Sequence, residues 1–155
     1  MSFQVKALPP KLFEGLFWLS DAELKNRHIR RLTVTEKPGI PCRVSLADAE
    51  IGETVLLLNF EHQSADTPYR ASHAIFVRRN AVEARPARGE VPEFLRSRLI
   101  SVRQFDAEHM MIDADVVGGV ALTGALYDAF SNAATAYVPL HFAKPGCFAA
   151  RVERR

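Results

Sequence analysis

Apolar side chains recur at Leu122, Ala125, Leu126, Ala129 and Phe130. That i, i+3, i+4, i+7, i+8 spacing lines one face of a helix and predicts the best-defined helix of the chain. Elsewhere the pattern is that of strands. Val55-Leu56-Leu57-Leu58 is uninterrupted apolar sequence between turn residues, which predicts a strand from Glu53 to Phe60 buried on both faces. Shorter strands are expected over Phe3 to Leu8, Ile29 to Thr35 and Ala74 to Arg78, with Pro41 to Leu46 extended. Leu99 to Phe105 and His109 to Ala114 read as partners joined by Asp106-Ala107-Glu108, and Asp115 to Gly119 as a turn. Ala136 to Ala143 and Cys147 to Glu153 form a closing hairpin around Lys144-Pro145-Gly146, with Pro139 suited to an edge strand or a bulge. Pro9-Pro10 opens a helical segment carrying Leu12, Phe13, Leu16 and Phe17 on one face, with Trp18 and Leu19 packed at its end. Ser20-Asp21-Ala22-Glu23 is a capping box that starts a short helix to about Arg27, and Glu93 to Arg98 is a further short helix. Ala47 to Gly52 is a turn or brief helix. Glu61 to Thr67 and Asn80 to Pro92 are loops.

Strands outnumber helices and mostly follow one another directly. The expected fold class is α+β, a largely antiparallel sheet with two to four helices, in a single globular domain over residues 1–155. A chain of this length buries roughly 70% of the surface its unfolded form exposes, enough for a true core. A hydrophobic fraction of 48% and a charged fraction of 25% argue against disorder. No apolar run approaches the ~20 residues of a membrane helix, and the first residues lack the pattern of a signal peptide. The expected setting is therefore the cytoplasm, with no membrane partner and with Cys42 and Cys147 as thiols, unless the fold brings the two close enough to bridge.

The net charge of +2 is unevenly spread: Arg70 to Arg103 carries +5, and Gln104 to Ala150 carries −4. Such asymmetry can steer an anionic partner. Fifteen of the twenty basic residues are arginine, which a codon-biased genome also produces, and no nucleic-acid-binding module is present.

The chemistry concentrates in Pro68-Tyr69-Arg70-Ala71-Ser72-His73, ahead of the apolar Ala74 to Val77. Arg70 in a turn can hold a carboxylate or phosphate bidentately, or pin its own loop through an acid such as Asp66. Tyr69 can stack on a ligand. His141 and Cys147 stand at the two shoulders of the closing hairpin, where a histidine can activate a thiol; a buried apolar cysteine is the commoner arrangement. Cys42 has the same two readings. Arg43 does not bring its charge to that sulfur, because neighbours on a strand point to opposite faces. Asp113 and Asp115 share a strand face and suit either a cation or the end of a solvated strand. Gly118-Gly119 before a helix could receive an anion, against repulsion from those acids. The five histidines show no metal-ligand spacing, and phosphate loops, dinucleotide fingerprints and Gly-x-Ser-x-Gly are absent, so neither a metal nor a cofactor is expected.

Pro41-Cys42-Arg43, Gly52-Glu53, Pro68-Tyr69-Arg70, Ala74-Ile75-Phe76-Val77, Met111-Ile112-Asp113-Ala114-Asp115 and Lys144-Pro145-Gly146-Cys147 occur in this order. From about Leu19 onward the chain resembles the bacterial domain-of-unknown-function family numbered twelve hundred and three. The resemblance implies no activity, substrate or cofactor. The chain departs from the family pattern at His73-Ala74, in place of Gly-Pro, and at His141-Phe142-Ala143, in place of His-Asn-Ala. Two functional readings follow. In the first, Tyr69, Arg70, His73, His141 and Cys147 surround a small anionic ligand, with thiol-based transfer or hydrolysis as the natural reaction if the protein is an enzyme. In the second, the same residues stabilise loops of a non-catalytic interaction protein, a homodimer through an edge strand such as Ala136 to Ala143.

Overall fold

The computed structural model describes residues 1–155. Ten strands form two five-stranded sheets. The first is antiparallel throughout and runs, edge to edge, β1 (Phe3–Lys6), β10 (Phe148–Arg154), β9 (Tyr137–Phe142), β7 (Leu99–Phe105) and β8 (Met111–Gly118). The second runs β2 (Arg30–Thr33), β5 (Thr54–Gln63), β6 (Ala71–Arg78), β3 (Pro41–Cys42) and β4 (Ala47–Asp48). Its one parallel contact is Cys42 beside Phe76. The α-helices are α1 (Asp21–Asn26), α2 (Glu93–Arg96) and α3 (Leu122–Ser131). This is an α+β fold, as the order of strand and helix patterns requires. No helix is long and apolar enough to cross a membrane.

Each sheet has its own core. Leu122, Leu126, Ala129 and Phe130 of α3 bury the face that the helical spacing predicts, against Ile100, Val102, Val138, Leu140 and Val152 of the first sheet. In the second sheet, Leu56, Leu58, Ile75 and Val77 pack on Phe13, Leu24 and Ile29. Val55 points the other way, toward Val34 and Ala49, so the first half of β5 is buried on both faces. The sheets meet where Phe148 of β10 approaches Phe60 of β5, with ring centroids 6.3 Å apart. α1 begins with the complete capping box: Ser20 Oγ accepts from Glu23 N–H, and the Glu23 carboxylate accepts from Ser20 N–H at 2.7 Å.

Several boundaries differ from the sequence expectation, for physical reasons. β5 runs on through Glu61–Gln63, because the polar residues pair with Ala71 and Ser72 across the ladder. β8 likewise continues through Asp115–Gly118 opposite Leu99–Val102. The two acids satisfy its free edge: Asp113 Oδ1 accepts from Ala114 N–H at 2.9 Å and Asp115 Oδ1 from Val116 N–H at 2.7 Å. Ala47–Asp48 is a strand pairing with Pro41–Cys42, not a turn or helix. The segment after Pro9 forms two 3₁₀ turns, Pro10–Leu12 and Glu14–Trp18, and Trp18 is 90% exposed instead of packing at its end. Pro139 lies in an interior strand, where the β7 ladder skips both Val138 and Pro139. β9 therefore has no free edge for a second copy; the edges of that sheet are β1 and β8. Gly119 is no open anion cradle. Its N–H bonds the Arg98 carbonyl at 2.8 Å, and a Cβ there would lie 2.0 Å from the Leu95 carbonyl oxygen.

Candidate functional site

β3 ends by sending two neighbouring side chains in opposite directions. Cys42 enters the core of the second sheet, where its sulfur accepts from the N–H of Arg78 at 3.3 Å. Arg43 crosses to the β9–β10 hairpin and is only 1% exposed. Its Nε donates to the Phe148 carbonyl at 2.7 Å, Nη1 to the Pro41 carbonyl and Nη2 to Cys147 Sγ at 3.0 Å. The guanidinium carbon lies 4.9 Å from the centroid of the Phe142 ring. No carboxylate pairs with it; the ion pairs of the protein lie elsewhere. Desolvation lowers the Arg43 pKa, and the Cys147 sulfur opposes that shift.

Arg43 and Cys147 form one wall of a cleft of about 450 Å³ between the β3 end of the second sheet and the closing turn of the first. Pro41, Phe76, Phe142 and Pro145 give it apolar walls. Gly146, at φ 81°, makes the turn that places Cys147 on this side. Lys144 is exposed at the margin. Arg98 also lines the cleft, but Asp48 neutralises it through two hydrogen bonds of 2.5 and 3.0 Å. A larger groove of about 580 Å³ beside Trp18 contains no cysteine or histidine, and its Arg78 is held by Glu53 at 2.8 Å.

Three of the five histidines, His62, His73 and His141, gather on the other face of the hairpin, between the sheets. His141 pairs with Phe148 across β9 and β10. The Gly146 carbonyl can only accept, so His141 Nδ1 carries the hydrogen of their 3.0 Å bond, and Nε2 of the neutral ring accepts from Arg103 Nη1 at 3.4 Å. His62 stacks on Phe148 and meets His141 edge-on, with centroids 4.9 Å apart. His73 pairs with Phe60 on the adjacent strand. Burial pulls the His141 pKa down to about 3, with Arg103, His62 and His73 adding to the shift against the Gly146 bond. Burial lowers that of His62 too, with Arg103 and His73 adding to the shift.

The five residues nominated from sequence thus fall into three places. Cys147 lines the cleft with Arg43. His73 and His141 share the inter-sheet cluster, and neither ring nitrogen of His141 bonds to Cys147. Tyr69 packs edge-on against Phe105 at 5.6 Å. Arg70 pins its own loop, to Asp66 at 3.0 Å and Glu61 at 3.2 Å. Arg43, His62 and Arg103 escaped nomination. No local signal marks them, since each meets its partner through sheet pairing far along the chain.

The fold and the cleft define an α+β protein that holds a free thiol against an uncompensated, buried guanidinium. Residues 39–154 match the family described as a protein of unknown function, DUF1203, and the chain belongs to that family. No curated protein and no solved structure matches it.

Proposed function

We propose that the protein binds a small anionic molecule in the cleft formed by Arg43, Cys147 and Lys144. The observation that carries this reading is the Arg43 guanidinium, 1% exposed and without a carboxylate. Burying a charge is costly unless an opposite charge compensates it. Two carbonyls and a sulfur satisfy its hydrogen bonds but leave its positive charge unbalanced. A ligand with one anionic group and an apolar body would supply that balance and cover Phe76, Phe142 and Pro145. Lys144, unpaired at the margin, would attract the anion. The reaction class such a site supports is a transfer or a hydrolysis: Cys147 Sγ bonds to an electrophilic carbon of the ligand as that carbon's bond to its leaving group breaks, the thiol proton departs with that group, and an acceptor or water then displaces the sulfur and restores the thiol, while Arg43 holds the ligand's anionic group. Arg43 takes the anion-holding place expected of Arg70, and His141 makes no hydrogen bond to Cys147. This chemistry needs a reduced thiol, which accords with the cytoplasmic setting expected above.

The test joins a thermal-shift screen of small carboxylates and phosphate esters to mass-spectrometric measurement of iodoacetamide labelling at Cys147. A ligand should raise the melting temperature in proportion to its concentration and slow the labelling. Arg43→Met should lose both responses. If no compound in a broad panel produces either response, the non-catalytic reading replaces this one.

A further inference from the structure

The inter-sheet cluster is a second gathering of nitrogen donors around one cation, Arg103, on the opposite face of the same hairpin. Four strands contribute to it: His62 from β5, His73 from β6, Ser101 and Arg103 from β7, and His141 from β9. Arg103 Nε donates to Ser101 Oγ at 3.1 Å and Nη1 to His141 at 3.4 Å, leaving Nη2 without a partner. Neither ring nitrogen of His62 makes a hydrogen bond, and the only side-chain hydrogen bond of His73 is 3.3 Å to the carbonyl of its neighbour Ala74. Phe148 of β10 and the Gly146 carbonyl complete the surroundings.

No carboxylate enters this group. Along β7, Val102 and Gln104 point to the other face of the sheet, and Asp113 and Asp115 of β8 lie opposite those two residues. Glu61, beside His62 in sequence, turns outward to Arg70 at 3.2 Å. The charges that reach His141 come from Arg103, His62 and His73, all of one sign. An arginine, three imidazoles and a hydroxyl, with several donors unused and no acid, form an incomplete electrostatic arrangement.

We propose that His62, His73, Ser101 and Arg103, with His141 orienting Arg103 behind them, bind a tetrahedral oxyanion, the phosphoryl group of a small phosphorylated molecule. The spread of free donors over three strands, β5, β6 and β7, suits an anion with three or more acceptor oxygens better than a planar carboxylate. Arg103 presents its free Nη2, Ser101 a hydroxyl, His62 its ring nitrogens and His73 its Nε2. Binding would draw protons onto the imidazoles, so affinity rises as the pH falls. The site is independent of the Arg43 cleft, and phosphate should leave the iodoacetamide labelling of Cys147 unchanged.

The experiment uses inorganic phosphate, sulfate and acetate against chloride at matched ionic strength. Phosphate at tenfold its Kd should raise the melting temperature by roughly 3–6 °C, and the imidazole NMR resonances of His62 and His141 should titrate at higher pH in its presence. Sulfate, dianionic throughout, should bind more tightly at pH 6 than at pH 8. Arg103→Gln should fold, since the side chain is partly exposed, and should lose the phosphate response. Ser101→Ala should weaken it. Equal phosphate responses in the native protein and Arg103→Gln would show only the general effect of an excluded salt and overturn the proposal. So would unmoved histidine resonances, or acetate acting as well as phosphate.

Discussion

His141 ties the fold to pH. Its ring is 2% exposed, donates to the Gly146 carbonyl and faces Arg103, His62 and His73. Protonation would bury a charge beside the Arg103 guanidinium, and its pKa falls from 6.5 to about 3. The native state therefore binds fewer protons than the unfolded chain, and stability must rise with pH between these two values. The contribution of neutral His141 is complete above pH 6.5 and is lost as the pH falls through this window toward 3. With about 1.4 kcal/mol per pKa unit, the loss between pH 7 and pH 5 comes to about 2 kcal/mol. That corresponds to a fall of roughly 4–8 °C in melting temperature for a protein of this size. Urea denaturation at the two pH values, in chloride without phosphate, measures it directly. His141→Gln removes the titrating group, so its stability should depend on pH more weakly by about the same 2 kcal/mol. Parallel losses in the two proteins would refute the reasoning. So would a native His141 resonance that titrates between pH 6 and 7.

Two other substitutions probe the frame. Gly119→Ala drives a Cβ to within 2.0 Å of the Leu95 carbonyl and 2.5 Å of the Arg96 carbonyl, both backbone atoms. It should cost about 3 kcal/mol in urea unfolding, and a loss under ~0.5 kcal/mol, the scale of an ordinary surface change, would show that α2 can move away. Arg70→Ala removes two exposed ion pairs, to Glu61 and Asp66. Its melting curve should shift by less than the equivalent of ~1 kcal/mol, and a larger fall would mean that this turn organises more of the fold than its contacts indicate.

Where side-chain order alone chooses the local structure, the residues were sufficient. The capping box of α1 satisfies its own backbone donors, and the apolar stripe of α3 can be buried on only one face. The apolar start of β5 needed two cores, and it has them. The closing hairpin follows from turn residues between two apolar runs. Polar strand ends carried no such signal. Glu61–Gln63 and Asp115–Gly118 became strand because a distant partner supplied the ladder, a choice no local pattern encodes. The division of one expected sheet into two was equally invisible, and with it the interior place of β9.

The candidate chemistry divides the same way. Residue order sets which reactive side chains exist, turns Cys42 and Arg43 to opposite faces, and puts Cys147 after a tight turn. Their partners come from the packing of the two sheets. Arg43 meets a sulfur 104 positions away because β3 lies against the hairpin. His141 turns from Cys147 to His62 because alternation along β9 and β10 puts the two shoulders of the turn on opposite faces of the sheet. Alternation is local, but which face meets which neighbour depends on how the sheets stack, and that is settled by burial summed over the whole chain.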